Sequence, residues 1–249
     1  MVSLNVCTDQ LAMLLAAPGQ LVAVSRLAAD PRTSAMAREA AAFPRIAGHA
    51  EEVWLLRPDL VLAGTYTTRA TVELLRRLGV PVQEFPPVSG LDAVADQMRA
   101  VGAALGRAAE AEAMAEAFET SVAALRHPGP PAAAAFYHPN GWTTGRGTLA
   151  DDILTAAGFR NIAGSLGLSG GGYLPLETLV LAAPDLVVAS EPWPGASRAE
   201  EILRHPVLRA LHTTGRPLPA TDADWICGTP HLLRAVAAMT AARDALDRR

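Results

Sequence analysis

One eight-residue pattern occurs twice in this chain, and the repeat constrains the fold more than any other feature. Residues 57–64 read RPDLVLAG, and residues 183–190 read APDLVVAS. A glutamate, Glu51 in the first copy and Glu177 in the second, stands at the same distance before the proline of each copy. A repeat of this kind indicates a duplicated architecture.

Each copy has the pattern of a short helix, a proline that ends it and a buried strand. In the first copy, residues 51–56 predict a helix that ends before Pro58, and the apolar residues 60–63 are typical of a strand in a parallel sheet. In the second copy, residues 176–182 predict the helix and residues 186–189 the strand. Strands and helices alternate through both halves of the chain, which predicts an α/β protein with parallel sheets flanked by helices.

A long helical zone lies between the two halves. Residues 92–105 and 108–125 have helical patterns separated by Gly106, and the sequence HPGPP at residues 127–131 is a stiff break. We therefore predict two lobes, each a mostly parallel sheet flanked by helices, bridged by one long α-helix with a ligand cleft between the lobes. The predicted boundaries are 1–106 for the N-terminal lobe, 107–127 for the linking helix and 128–249 for the C-terminal lobe.

Smaller signals predict individual helix ends and the side of each sheet that binds a ligand. Thr8 is a candidate N-cap for a helix over residues 9–17, and Thr148 with Asp151 resembles a capping box that opens a helix over residues 149–157. In parallel sheets, ligands bind at the carboxyl ends of the strands. The loops expected at that edge are 5–9, 64–69, 138–146, 191–195 and 221–228.

Composition excludes several classes of function. The net charge is −4 and no basic stripe is present, so we expect no nucleic-acid partner. All 21 basic residues are arginine, which excludes chemistry that needs a lysine amine. The N-terminal MVSLNVC does not have the pattern of a signal peptide. The residues alone therefore leave open a cytoplasmic protein or a secreted one whose signal peptide has been removed.

Cys7 and Cys227 are the only cysteines, and neither belongs to a CxxC motif. The spacing predicts neither a zinc site nor a disulfide framework. A single bridge closing a large loop is one alternative. The sequence favours the other, two separate thiols that are buried or line the cleft.

Four segments together resemble a known family. They are SLNVCTDQLA after the first strand, GHAEEVWLLRPDLV in the first lobe, LPLETLVLAAPDLVV in the second, and TDADWICGTP before the last helix. The chain resembles the substrate-binding proteins of ABC importers for vitamin B12 and ferric siderophores. The resemblance covers essentially the whole chain and implies the two-lobed fold described above. It further implies a monomeric periplasmic protein without catalytic residues, whose signal peptide is absent from this sequence.

The resemblance also implies a cargo and a partner. The cargo is a metal chelate, either a ferric siderophore or a corrinoid such as vitamin B12, and the protein holds no cofactor of its own. The partner is the permease in the inner membrane, which docks on one glutamate of each lobe, here Glu51 and Glu177. A glutamate also stabilises a helix N-terminus, but that role does not explain the matched positions in both lobes. Glu52 is an alternative to Glu51.

Eight residues on the expected cleft loops are candidates for ligand contact. Aromatic rings provide flat apolar area, guanidinium groups suit ligand carboxylates, and a histidine provides a polar contact or a metal ligand. Trp225 is chosen because it matches the tryptophan position of the family. Ordinary packing or solubility is the alternative for each of them. The candidates are Cys7, Tyr66, Arg69, His138, Trp142, Arg146, Trp193 and Trp225.

Other functions fit the sequence less well. A zinc- or manganese-binding relative needs three histidines and a carboxylate, but the six histidines are scattered and none pairs at i and i+4, so we expect no closed metal site. Haem is an alternative ligand, because it also requires an aromatic cleft. An enzyme is not expected, because no G-x-G-x-x-G motif follows the first strand and the spacing forces no Cys–His pair together. A signalling or adaptor domain would not need both docking glutamates.

Overall fold

The computed structural model describes residues 1–190, 195, 197–211 and 220–248. Its helices are α1 (Val6–Leu15), α2 (Ala50–Leu55), α3 (Arg69–Arg77), α4 (Leu91–Ala104), α5 (Ala108–Leu125), α6 (Leu149–Ala156), α7 (Ile162–Ser165), α8 (Leu176–Ala182), α9 (Pro206–Leu211) and α10 (Leu232–Asp247). Its strands are β1 (Val2–Ser3), β2 (Val24–Ser25), β3 (Arg45–Ile46), β4 (Val61–Gly64), β5 (Val82–Phe85), β6 (Ala132–Tyr137), β7 (Trp142–Thr144), β8 (Phe159–Asn161), β9 (Gly171–Tyr173), β10 (Leu186–Ser190) and β11 (Ala220–Thr221). None of the described helices combines the length and apolar character needed to cross a membrane.

The chain divides into two compact units. Unit 1 consists of Met1–Val88, Asp92–Thr120 and Ala223–Leu232, and unit 2 consists of Ser89–Leu91, Ser121–Asp222 and Leu233–Arg249. The boundary between them falls within α5, the predicted linking helix. The lobe boundaries given above stay a prediction. They did not anticipate that a segment near the C-terminus, Ala223–Leu232, packs with unit 1.

Unit 1 is built on a parallel sheet of order β1–β4–β5. The strands β2 and β3 form a second parallel pair, and an isolated bridge joins Val2 to Ala23. Both faces of the central strand are covered, because Val61 and its neighbour Leu62 are completely buried. The helices α2 and α3 contribute Val53 and Leu75 to the same core. The apolar runs of the sequence therefore form a parallel sheet flanked by helices, as predicted.

Unit 2 contains a four-stranded parallel sheet of order β11–β10–β6–β8. Its core includes Tyr137 from β6, Val187 from β10 and Leu179 from α8. The short strands β7 and β9 pair antiparallel outside this sheet, with Trp142 opposite Tyr173. The predicted fold class is confirmed, since each unit has a parallel sheet with helices packed against it.

The two copies of the repeat have the same backbone path. In each, a short helix (α2 or α8) is followed by a residue in the left-handed region and then by the proline. That residue is Arg57 in the first copy (φ 48°) and Ala183 in the second (φ 41°). A proline disfavours the right-handed helical conformation at the residue before it, which is why each helix ends before its proline. The residue before each proline, Arg57 or Ala183, has a positive φ although it is not a glycine, and both copies share this unusual conformation.

The aspartate after each proline binds the neighbouring strand. The Asp59 carboxylate lies 3.2 Å from the amino group of Met1, the residue before β1. The Asp185 carboxylate accepts a hydrogen bond of 2.7 Å from the backbone N–H of Ala133 in β6. In unit 2 the Pro-Asp pair therefore ends a helix and ties two adjacent strands together, and in unit 1 Asp59 lies beside the residue that precedes the adjacent strand.

The start of the first helix differs from the prediction. Helix α1 begins at Val6 instead of residue 9, and its N-cap is Asn5, whose side chain accepts the N–H of Cys7 at 2.9 Å. The Thr8 hydroxyl instead bonds the Ser3 hydroxyl and donates to the Asn5 carbonyl. Asn and Thr are both good N-caps, and the position where β1 ends decides between them. The predicted cap at Thr148 is confirmed, since its hydroxyl accepts the N–H of Asp151.

Candidate functional site

A disulfide joins Cys7 to Cys227, so the expectation of two separate thiols is wrong. The two residues are 220 positions apart in the sequence, and their Cα atoms lie 5.0 Å apart. The bridge forms because the returning segment Ala223–Leu232 packs onto unit 1, beside the N-terminus of α1. Spacing in the sequence carries no information about such a contact.

A small cavity of about 90 Å³ lies in unit 1 next to this disulfide. Its walls come from the residues that follow β1, β4 and β5 and from the returning segment. Its lining includes Asn5, Cys7, Gly64, Tyr66, Phe85 and Ile226. The cavity is therefore at the carboxyl ends of the parallel strands, the edge where ligands bind in this class of fold. Its volume suits one edge or one substituent of a large ligand.

Tyr66 is held on a tight turn at this cavity, and its side chain is 88% exposed. The Gly64 N–H donates to the Thr67 hydroxyl, and the Thr67 N–H donates to the Gly64 carbonyl at 2.9 Å. A Cβ atom at position 64 would lie 2.9 Å from the amide nitrogen of Asn5, so glycine permits this close approach. The turn therefore presents a phenol ring to solvent beside the cavity.

Two other candidates in unit 1 have different surroundings. Arg69, the first residue of α3, forms an ion pair with Glu84 at 3.2 Å, and Glu84 also pairs with Arg76 at 2.8 Å. An exposed pair of this kind contributes only ~0–1 kcal/mol, so a ligand carboxylate can compete for Arg69. Trp225 is half-buried and directly precedes Ile226, which lines the cavity.

A buried carboxyl group lies one residue beyond Thr8 on α1. Asp9 is fully buried and accepts hydrogen bonds from the backbone N–H and the hydroxyl of Ser25. Burial raises the pKa of Asp9 to about 7, and the hydrogen bonds from Ser25 oppose this shift only in part. The group therefore changes charge near neutral pH.

In unit 2, His138 and Trp142 meet at the carboxyl end of β6. The backbone N–H of His138 donates to the backbone carbonyl of Trp142 at 2.8 Å. The imidazole stacks on Phe136 with the ring centroids 5.8 Å apart. Burial lowers the pKa of His138 below its usual value, so the ring is neutral at pH 7. The structure thus brings these two predicted residues together.

Tyr173 joins this group, although the sequence analysis did not select it. The Trp142 and Tyr173 rings pack edge to face with their centroids 5.1 Å apart and an interplanar angle of 87°. Trp142 is 41% exposed and Tyr173 is 69% exposed. A Cβ atom at Gly171 would lie 2.3 Å from the indole ring, so this glycine makes room for Trp142. The glycine run before Tyr173 is the signal that would have identified it.

Arg146 does not join this aromatic group. It lies in a different surface depression of unit 2, alongside the edge strand β8. The lining of this depression also includes His127, Asp151, Arg160 and Ser165. Its side chain packs against Gly164. Trp193 lies outside the described residues. Within the described part of the chain, no group of three or more His, Cys, Asp or Glu side chains is placed to hold a metal ion.

The two candidate docking glutamates are exposed on short helices. Glu51 lies in the first turn of α2 and Glu177 in the first turn of α8. The alternative residue, Glu52, points back toward the chain before the helix, since its carboxylate accepts the N–H of Ala47 at 2.8 Å. Glu52 therefore has a structural role, which leaves Glu51 as the free carboxylate of this helix.

A family model described as periplasmic binding protein matches residues 1–215. The chain belongs to the periplasmic binding protein family. The resemblance found in the sequence is thereby confirmed. In this chain, the exposed aromatic groups at the carboxyl ends of the strands lie at the edge where α/β proteins bind ligands.

Solved structures of other periplasmic binding proteins are similar over almost the whole chain. The apo form of the periplasmic heme-binding protein RhuT from Roseiflexus sp. RS-1 is 25% identical, with a TM-score of 0.79 and 98% of each chain covered. The periplasmic heme-binding protein HutB of Vibrio cholerae is 20% identical, with a TM-score of 0.80 and 97% of each chain covered. The periplasmic vitamin B12-binding protein BtuF of Vibrio cholerae is 20% identical, with a TM-score of 0.75; the match covers 100% of this chain and 97% of that one. The comparison with curated proteins gave no match.

Proposed function

We propose that this chain is the substrate-binding component of an ABC importer, which captures a metal chelate and delivers it to a membrane permease without chemical change. The observation that carries the proposal is the exposed Tyr66 beside the cavity at the carboxyl ends of β1, β4 and β5. Membership of the periplasmic binding protein family supports it. The kind of side chains at each sheet supports the proposed ligand class.

Each unit by itself presents aromatic side chains at the carboxyl edge of its sheet, which suits contact with a large, partly flat ligand. Unit 1 offers the Tyr66 phenol, and unit 2 offers the neutral His138 and the Trp142–Tyr173 pair. Aromatic rings provide stacking area, and a tyrosine oxygen is a known axial ligand of haem iron. The similar structures include heme-binding and vitamin B12-binding proteins. The proposed cargo is therefore haem, a corrinoid or a ferric siderophore, and haem is the first to test.

The remaining candidates keep subordinate roles in this proposal. Arg69 and Arg146 would bind acidic substituents of the ligand, and Trp225 and Cys7 would contribute to the cavity wall. Trp193 stays a prediction from the sequence. The protein would act as a monomer that binds and delivers its cargo without catalysis.

The disulfide supports a location in the periplasm. Disulfides persist in oxidising compartments such as the bacterial periplasm and are rare in the cytosol. The Cys7–Cys227 bridge therefore agrees with the location in the name of the family. In that compartment the exposed Glu51 and Glu177 would meet basic residues of the permease.

Ligand binding can be tested with the purified protein and three probes: haemin, cyanocobalamin and ferrichrome. We expect one of them to bind with a Kd below about 10 µM, measured by absorption for haemin and by tryptophan fluorescence for all three. Tyr66→Ala should weaken that binding by about tenfold or more through the loss of ring contact. Tyr66→Phe keeps the ring and removes the hydroxyl, so it distinguishes the contribution of the phenol oxygen to binding from that of the ring.

Trp54→Ala is the matched control, because Trp54 is also an exposed aromatic residue of unit 1 but lies on α2. It should leave the Kd unchanged. Failure of all three probes to bind would contradict the proposed function. Equal binding by Tyr66→Ala and the unmodified protein would contradict the assignment of Tyr66.

A further inference from the structure

The two copies of the repeat expose a leucine at the same place. Leu55 is 72% exposed and Leu181 is 86% exposed. Each stands four positions after the candidate docking glutamate of its unit. Residues at i and i+4 lie on the same face of a helix, so each leucine is next to its glutamate.

The orientation of these helices is set by a different residue. Val53 and Leu179, each two positions after the glutamate, are completely buried and anchor α2 and α8 in their cores. The leucines are therefore not needed to hold the helices in place. An exposed leucine in one unit would be ordinary, but the same residue at the equivalent point of both units needs an explanation.

Each leucine belongs to a small apolar patch. The residue three positions after the glutamate is also exposed and apolar: Trp54 is 49% exposed in unit 1, and Val180 is 37% exposed in unit 2. We call these two patches the acid–leucine faces: Glu51, Trp54 and Leu55 on α2, and Glu177, Val180 and Leu181 on α8. Adjacent exposed apolar residues with a charged neighbour are typical of a protein–protein contact.

We propose that the acid–leucine faces dock into two sockets of the importer's permease, each with an apolar floor and a basic rim. This inference rests on the proposed function and adds the leucines to it. In each socket the leucine would bury its apolar surface against the floor, and the glutamate would set the orientation of the contact through a charged hydrogen bond. The presence of one face on each unit calls for two equivalent sockets.

The charge on each face favours this occupant over two others. A second copy of the chain would bring glutamate against glutamate, which is repulsive. A bilayer of anionic lipid would repel the same carboxylates. A protein surface that combines arginine or lysine with apolar residues satisfies both parts of the face.

The test measures binding of two double variants and one single variant to the permease reconstituted in nanodiscs. Leu55→Ser with Leu181→Ser removes the apolar centres, and Glu51→Gln with Glu177→Gln removes the charges. Leu27→Ser is the matched control, since Leu27 is an exposed leucine of unit 1 (53%) outside either face. All the altered side chains are exposed, and circular dichroism together with binding of haemin, cyanocobalamin and ferrichrome checks that each variant is folded.

We expect the leucine pair variant to bind the permease at least about tenfold more weakly, with an unchanged dependence on salt between about 0.05 and about 0.5 M NaCl. The glutamate pair variant should also bind more weakly and should lose most of its salt dependence. The control should match the unmodified protein, and ligand affinity should be the same in all of them.

Full binding by the leucine pair variant would overturn the inference, while weak binding by the glutamate pair variant in the same experiment would leave the docking glutamates in place. If neither pair variant differs from the unmodified protein, the docking part of the proposed function fails as well. If the unmodified protein self-associates and the leucine pair variant does not, a second copy of the chain is the occupant and the proposal is refuted. Binding of the protein to lipid vesicles without permease would refute it in favour of a membrane surface.

Discussion

The disulfide between Cys7 and Cys227 should make a large contribution to stability. The bridge closes a loop with a sequence separation of 220, almost the whole chain. The chain-entropy relation for a closed loop of this length corresponds to about 5 kcal/mol at 25 °C, near the top of the range for disulfides. We therefore expect the variant Cys7→Ala with Cys227→Ala to lose up to about 5 kcal/mol of unfolding free energy.

Urea unfolding followed by tryptophan fluorescence and circular dichroism measures this loss. With a slope of about 2–3 kcal/mol per molar urea, the midpoint should fall by roughly 2 M. A reductant should lower the midpoint of the unmodified protein by a similar amount and leave the double variant unchanged. Because Cys7 and Ile226 line the cavity, ligand affinity should fall in the double variant as well.

Two results would refute this reasoning. Equal midpoints for the oxidised protein and the double variant would show that the bridge does not constrain the unfolded chain. The second result has two parts: the double variant has a lower midpoint with and without reductant, and reductant does not change the midpoint of the unmodified protein. Together they would show that the loss comes from packing at the alanines. The single variants Cys7→Ala and Cys227→Ala should resemble the double variant, because each breaks the same bridge.

Three further predictions concern individual side chains. The folded state raises the pKa of Asp9 to about 7, so between about pH 4 and about pH 7 the folded protein keeps a proton that the unfolded chain releases. The unfolding free energy should therefore fall by a few kcal/mol as the pH rises through this range. Asp9→Asn should flatten this dependence in urea titrations at several pH values. Gly171→Ala should displace the Trp142 ring, change the tryptophan fluorescence and weaken chelate binding, whereas Gly172→Ala, whose Cβ would meet only the flexible Leu168 side chain, should do so less. Tyr173→Ala should weaken binding of the chelate that the protein selects by roughly tenfold. It should change the free energy of unfolding measured in urea by no more than about 0.5 kcal/mol, because Tyr173 is mostly exposed.

The local elements of this fold were predictable from the sequence. The helix over residues 108–125 was predicted with the bounds that α5 has, and the cap at Thr148 forms the predicted hydrogen bond. The helix, proline and strand of both repeats also follow the prediction. These features depend on helical periodicity, capping side chains and proline geometry, which act within a few residues and are therefore written in short stretches of sequence.

The candidate site depended on contacts that the sequence does not reveal. Glu52 accepts the N–H of Ala47, Arg69 is paired with Glu84, and Tyr173 meets Trp142 across β7 and β9. No local pattern distinguishes Glu52 or Arg69 from its neighbours, and the glycine run before Tyr173 does not by itself name the ring that Tyr173 meets. Each role is set by which strands pair and in which register, and that is a property of the whole core.

The sequence by itself determined the fold class, the duplication and the family, because apolar periodicity and the repeated motif are recorded along the chain. Only the tertiary structure decided that Cys7 and Cys227 form a bridge and that residues 223–232 complete the cavity of unit 1. It also decided which repeated residues are buried: Val53 and Leu179 form the core, while Leu55 and Leu181 stay outside. The physical reason is that burial and long-range pairing depend on how separate segments pack, which no single segment specifies.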